Sequence, residues 1–415
     1  IVGKTLGIDA LASVGASGSL NFLILGFCIG LCSGFAIPVA QTFGAKEYSL
    51  MRRYVVNASV LAAGISIAIA VVTALFCRQI LILIRTPENI LDGAYLYLVI
   101  IFIGIPFTVL YNLAAGILRS LGDSKSPFLF LVISTVINVI GDLVCILVFG
   151  MGVEGAAIST IVAQAISGIC CVLYMKKRFA ILKLERQEEK LSSHRMKILL
   201  GMGVPMGLQF SITAIGSVML QSAVNSLGAV CVSGVAVASK IYMLLCCPFD
   251  ALAMAATNFT GQNLGAGKRE RAKEGLKVTM RMAAIVCVGL CIPMILFRRS
   301  LISIFNTEED VLYYGSIFLM MMSPFYIMCA INNIYAGVLR GAGCSLPPMI
   351  IMLSSFVAFR QIYLYVFSHL THSFYVVALA YPMGWILCST LLLIYYYRGG
   401  WEKKSTILTQ MKKEA

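Results

Sequence analysis

Asn112-Leu-Ala-Ala-Gly-Ile-Leu-Arg-Ser-Leu-Gly-Asp-Ser-Lys-Ser-Pro127 returns later in the chain as Asn333-Ile-Tyr-Ala-Gly-Val-Leu-Arg-Gly-Ala-Gly-Cys-Ser-Leu-Pro-Pro348. Asn112, Gly116, Leu118, Arg119, Gly122 and Pro127 all find their match 221 residues on, at Asn333, Gly337, Leu339, Arg340, Gly343 and Pro348. The same offset carries Gln41, Gly44 and Ala45 onto Gln262, Gly265 and Ala266. One spacing shared by separate motifs means two copies of one fold unit. Every copy lies beside an apolar stretch, and in membrane proteins such paired repeats are a layout of transporters, with the site between the halves.

The chain has 415 residues, 60% of them hydrophobic and 12% charged, with a mean hydropathy of +0.91. A soluble protein could not bury that much apolar surface, so the class is integral membrane. Long apolar runs broken by short polar clusters read as helices and not as the alternation of a β-barrel. The fold class is therefore all-α integral membrane. Spans are predicted at roughly 15–41, 53–77, 92–118, 127–149, 155–175, 199–227, 231–261, 276–297, 311–339, 348–368 and 374–397, each long enough for a hydrocarbon core of about 30 Å.

A net charge of +14 could suggest a nucleic-acid partner, but its placement argues against one. The connectors at 46–53, 119–125, 176–197 and 268–281, with Arg340 and the tail from Arg398, hold 25 of the 32 Lys and Arg. The opposite connectors hold Lys4, Arg78, Arg85, Arg298 and Arg299. This alternation is the positive-inside pattern, which puts 46–53 and the C-terminal tail in the cytoplasm.

Six spans lie between Gln41 and Gln262, an even number, so the two copies face the same way as parallel repeats. The chain is read as an N-terminal lobe at 1–178, a cytoplasmic linker at 179–196, a C-terminal lobe at 197–398 and a cytoplasmic tail at 399–415. Applying the repeat to the span near 199 puts the start of its counterpart about 22 residues before Ile1. The expectation is a first helix present only as a remnant, a stub at 1–6, followed by five spans in the first lobe and six in the second. Gly26, Gly30 and Gly34 fall on one helix face and favour close packing. Pro38, Pro106, Pro205, Pro248 and Pro324 predict bends.

An ionisable side chain inside a span costs about 2.5–3.5 kcal/mol to insert, so each is a functional candidate. Asp142 falls about 22 Å along the helix from Pro127, in the outer half of the membrane. Asn138 is one turn earlier on the same face, and Thr160 enters the next helix at similar depth. In the second half, Asp250 and Arg360 lie at equal depth, which permits an ion pair but equally leaves Asp250 free to line a cavity. Tyr97, Asn112, Met243 and Met254 are further cavity candidates, Met because it repacks easily around varied ligands. Lys240 lies near the outer end of its span and can snorkel. The Cys residues lie mostly within apolar spans, and an isolated His369/His372 pair is a weak metal signal. No catalytic constellation, metal site or cofactor motif is read.

Asp9-Ala-Leu-Ala-Ser-Val-Gly15, Ala40-Gln-Thr-Phe-Gly-Ala45, Leu118-Arg-Ser-Leu-Gly-Asp-Ser-Lys-Ser-Pro127 and Gly150-Met-Gly-Val-Glu-Gly-Ala-Ala157 resemble the first half of the multidrug and toxic compound extrusion (MATE) family. Gly261-Gln-Asn-Leu-Gly-Ala-Gly-Lys268 and Leu339-Arg-Gly-Ala-Gly343 resemble its second half. The resemblance implies two six-helix lobes in a V-shaped bundle around a central cavity, in a bacterial inner membrane. It implies a monomer that exports small organic cations, driven by H⁺ or Na⁺ entry, and no enzymatic activity. Asn138, Asp142 and Thr160 match the family's N-lobe cation or proton site, whose further Asp on helix 1 would precede Ile1. The helix at 199–227 lacks the acidic residue through which some members bind Na⁺. A lipid-linked saccharide flippase of a related branch is an alternative, and a membrane receptor or enzyme is a rival from another class.

Overall fold

The computed structural model describes residues 5–185, 188, 190–370 and 373–401, and among them the secondary structure is helical throughout. The helices are α1 (Ile8–Gly44), α2 (Tyr48–Leu83), α3 (Glu88–Ile103), α4 (Ile105–Ser120), α5 (Lys125–Leu143), α6 (Val153–Arg178), α7 (Ser193–Asn225) and α8 (Ala229–Gly265). They continue as α9 (Arg269–Leu296), α10 (Arg298–Ser303), α11 (Glu309–Met322), α12 (Tyr326–Gly341), α13 (Leu346–Leu353), α14 (Arg360–Leu370) and α15 (Phe374–Arg398). Nine described segments are long and apolar enough to cross a membrane, and α3 with α4, bent by 46°, makes a tenth. The 33-residue α7 coincides with the span expected near 199–227. This is a multi-pass, all-helical membrane protein. The expected stub falls largely on residues 1–4, the tail largely on 402–415 and the second histidine on His372, all outside the described residues.

The sequence repeat sets where helices start and stop. Helices α1 and α8 are each 37 residues long and begin at Ile8 and Ala229, one repeat apart. The starts of α2 and α9, α5 and α13, and α6 and α15 keep the same offset, as do the ends of α4 and α12. The chemistry of the ends explains this. Gly7 and Gly228, the residues before α1 and α8, have φ of 88° and 96°; Gly122 and Gly343, after α4 and α12, have φ of 91° and 87°. Only glycine adopts that backbone without strain. At the other ends of α1 and α8, the Ala45 and Ala266 amides donate to the Gln41 and Gln262 carbonyls at 3.0 Å. Breaks coincide with Pro106 and Pro324, whereas α1, α7 and α8 continue through Pro38, Pro205 and Pro248.

By contacts the chain forms two compact units, one running to Ser211 and the other from Ile212, the boundary lying within α7. In the first unit, α1 packs against the first half of α7 through glycine. A Cβ at Gly30 would lie 2.5 Å from the Met206 carbonyl oxygen, and one at Gly34 would lie 2.5 Å from Gly203 Cα. Ser120 Oγ donates to the Ala36 carbonyl at 2.9 Å, tying α4 to α1. The connector after α6 is held on α2: Arg52 binds Glu188 and donates to the Ile181 carbonyl at 3.1 Å. Asn57 Oδ1 accepts the Ser192 amide at 2.9 Å.

The second unit is built on α8 and α12, which touch at small residues. A Cβ at Gly337 would meet the Ala253 carbonyl, and one at Gly341 the Thr257 carbonyl. Tyr242 stacks on both Tyr326 and Trp385, with centroids 5.7 and 5.6 Å apart. Arg360 is buried at 6% exposure, its guanidinium 5.2 Å from the Tyr381 ring centroid and 5.5 Å from that of Phe356.

Candidate functional site

The α5–α6 hairpin assembles the one cluster in which the described residues join a carboxylate in a span to several polar side chains. The two helices are sewn together along their length: Ser167 Oγ donates to the Phe130 carbonyl at 3.0 Å and Ser134 Oγ to the Ala163 carbonyl at 2.9 Å. The next rung is the cluster itself. Asn138 Nδ2 donates to Ser159 Oγ at 3.0 Å, to Thr160 Oγ1 at 3.2 Å and to Asp142 Oδ1 at 3.5 Å. Ser159 Oγ also donates to Asp142 Oδ1. Asp142 therefore shares one network with both Asn138 and Thr160, and is half-buried within it.

Glycine permits this approach. A Cβ on Gly141 would lie 2.9 Å from Ser159 Cβ, so a larger residue beside Asp142 would wedge the helices apart at the cluster. Tyr97 on α3 is half-buried and lies within electrostatic range of the Asp142 carboxylate. Asn112 stands apart, with its amide donated to the Thr108 carbonyl at 2.8 Å in its own helix.

In the second unit the equal-depth pairing of Asp250 with Arg360 is not formed: no ion pair joins them among the described residues. Arg360 turns to its aromatic rings, and Asp250 Oδ1 accepts Asn333 Nδ2 at 3.0 Å. Asp250 is exposed in its unit, and Met243 and Met254 on the same helix are exposed at 66% and 41%. Lys240 is exposed as well.

Sequence reasoning missed Ser159 and Asn333. Ser159 precedes Thr160, and depth alone cannot tell which of two neighbours points at α5. For Asn333 a signal existed, since it is the repeat partner of Asn112 and begins the decisive motif.

Comparison with known proteins agrees with the fold. The MatE family model matches residues 1–144 and 205–366. The chain is 30% identical over 414 residues to the Probable multidrug resistance protein YoeA of Bacillus subtilis, covering 97% of this chain and 89% of that protein. It is 25% identical over 416 residues to the Probable multidrug resistance protein NorM of Thermotoga maritima, covering 98% and 88%. Among solved structures, the crystal structure of MATE in the bent conformation superposes with a TM-score of 0.90 at 20% identity, over 97% of this chain and 90% of that one.

Proposed function

The chain belongs to the MatE family, whose members are membrane transporters and not enzymes, and from that premise we propose that it is a secondary antiporter. It exports cationic, amphipathic compounds in exchange for H⁺. The working units are a lobe at 1–178 and a lobe at 197–398, joined by 179–196, with a tail at 399–415. The protein acts as a monomer in a bacterial inner membrane with its C-terminus in the cytoplasm, the orientation favoured by the distribution of Lys and Arg.

The observation that carries this reading is the Asp142–Ser159 hydrogen bond. Ser159 Oγ has a second acceptor, the Ala156 carbonyl at 3.2 Å. With Asp142 ionised, the Ser159 proton points to the carboxylate. With Asp142 protonated, the hydroxyl turns to Ala156 and its oxygen accepts the Asp142 O–H. The network is thus satisfied in both protonation states by rotation of one hydroxyl, which is what a carboxylate that loads and unloads a proton needs. H⁺ is favoured over Na⁺ because the carboxylate cluster lies in the first lobe, while residues 199–227 of α7 contain no Asp or Glu to hold a sodium ion in the second.

A lipid-linked saccharide flippase would need an accessible cationic surface for a pyrophosphate. The span residues supply Lys240 and Arg360, and Arg360 is buried between aromatic rings. The deciding experiment is efflux of a cationic dye from a transporter-deficient host, with H⁺ and Na⁺ gradients varied separately. Wild type is expected to respond to the H⁺ gradient, and Asp142→Asn to lose that response while still reaching the membrane. Unchanged efflux by Asp142→Asn would overturn the coupling role.

A further inference from the structure

The second unit contains a cavity of about 980 Å³ against the first turns of α9, outside the site described above. Lys273, Lys277 and Arg281 line it at successive turns of one helix face. Glu270 and Glu274 also line it, nearer the start of α9, and Glu270 is taken by Lys273 at 3.2 Å. Among the described residues no acid lies within ion-pair distance of Lys277 or Arg281.

Two features set the depth of this cavity in the bilayer. Its floor is aromatic: Tyr396 meets Tyr335 edge-on at 5.0 Å and stacks on Trp401 at 5.1 Å. Tyr and Trp gather at the membrane–water boundary. Beyond Arg281 the outer face of α9 turns apolar, with Met282, Ile285 and Val288 exposed at 51%, 72% and 58%. The cavity therefore straddles headgroup and acyl-chain depth, on the side that the Lys and Arg pattern assigns to the cytoplasm.

The repeat shows that these charges are not a by-product of the fold unit. Lys273 corresponds to Arg52, which has an internal anion in Glu188 at 2.5 Å. Lys277 and Arg281 correspond to Val56 and Val60, apolar residues in the first copy. The second copy carries two extra cations beside an aromatic-floored cavity, with no carboxylate within ion-pair distance of either among the described residues.

We propose that this groove binds the phosphate headgroup of an anionic phospholipid from the cytoplasmic leaflet. Lys277 and Arg281 hold the phosphate, the Tyr396–Trp401 floor packs against the glycerol region, and an acyl chain lies along Met282 and Ile285. The occupant is a membrane lipid and not free phosphate, because the basic ridge runs straight into a lipid-facing apolar strip.

The test is lipid binding by the purified protein, measured by native mass spectrometry and by thermal unfolding in nanodiscs of phosphatidylglycerol or phosphatidylcholine. Wild type is expected to retain phosphatidylglycerol selectively and to unfold at higher temperature in its presence. Each basic residue near an anionic surface contributes about a fivefold factor, so Lys277→Gln should weaken retention about fivefold and Lys277→Gln with Arg281→Gln about 25-fold. Both positions are exposed, and unfolding in phosphatidylcholine checks that the variants remain folded. Equal phosphatidylglycerol retention by the folded double variant would overturn the proposal. Displacement of the lipid by millimolar inorganic phosphate would overturn the lipid assignment. A variant ending at Trp401 that gains lipid tenfold or more would make residues 402–415 the native occupant and overturn it equally.

Discussion

Arg52 grips Glu188 with two hydrogen bonds, 2.5 Å from Nε to Oε2 and 2.6 Å from an Nη to Oε1, across 136 residues of chain. The bidentate geometry is the strong form of the Arg–carboxylate pair. Glu188 is buried at 2% exposure, and its hydrogen bonds to Arg52 hold its carboxyl well down, at about 2 against an ordinary 4.5. The connector after α6 is thus anchored to α2.

Glu188→Ala is expected to destabilise the protein by about 2–3 kcal/mol, because it removes the bidentate partner of the largely buried Arg52 and leaves only the exposed Glu185, at 3.9 Å, as counter-charge. A depressed carboxylate contributes stability above its unfolded value and loses it as pH falls through the folded one. Protease sensitivity of 179–192 should therefore stay flat from neutral pH to about 4.5, and rise as the pH falls toward about 2. Glu188→Gln should be sensitive already at pH 7. A connector cleaved equally at pH 7 in wild type and Glu188→Gln would refute the anchoring.

Gly34 and Gly64 separate close packing from helix propensity. A Cβ at Gly34 would lie 2.5 Å from Gly203 Cα, a backbone atom that cannot step aside, whereas one at Gly64 meets nothing within 4 Å. Gly34→Ala should cost about 1–3 kcal/mol by overpacking. Gly64→Ala should gain about 0.5–1 kcal/mol. Thermal unfolding of both variants in one detergent checks the opposite signs.

Much of this was legible because the repeat fixes helix ends chemically: glycines at 7, 122, 228 and 343 terminate or precede helices wherever they recur. The Asn138–Asp142 contact follows from the helical period, and Thr160 from the short turn between two helices of known depth. The azimuth of a side chain was not legible. Arg360 shares the depth of Asp250 yet points elsewhere, because the π-helical turn at Ser354–Phe359 directly before it breaks the α-helical phase. No α-helical wheel drawn from the sequence includes that turn. Ser159 escaped for a related reason: adjacent residues sit about 100° apart on a helix, and depth fixes neither.

Ser159 and Thr160 should behave differently when truncated. Ser159 bonds the Asp142 carboxylate directly, while Thr160 Oγ1 gives its proton to the Ala156 carbonyl at 2.8 Å and only accepts from Asn138. Hydrogen bonds to charged groups contribute about 1.5–3 kcal/mol, so Ser159→Ala should lower H⁺-driven efflux about tenfold. Thr160→Ala removes a neutral contact and should cost about threefold. Initial rates of dye efflux under an imposed pH gradient distinguish the two, and equal losses would place Thr160 in direct contact with the transported proton.

Among the described residues Asp250 is the other carboxylate placed deep within a span, and the proposed function makes it a contact for a passing cation. It lies mid-way along α8, exposed in its unit, and accepts a hydrogen bond from Asn333 Nδ2. A carboxylate at that depth facing lipid would cost about 2.5–3.5 kcal/mol, which favours the proposal that Asp250 meets water or solute. Met243 and Met254, exposed on the same helix, supply the adaptable apolar surface that an amphipathic cation needs beside its charge. Asp250→Asn keeps the shape and the Asn333 neighbour but removes the charge. It is expected to reduce export of a monovalent cationic dye about tenfold, in line with about 1–2 kcal/mol for a partly hydrated charge contact, and to leave a neutral substrate of similar size unaffected. Dye accumulation in whole cells, compared between the cationic and neutral probes, reads the difference. Equal loss for both probes would assign Asp250 to coupling or folding and not to recognition of positive charge.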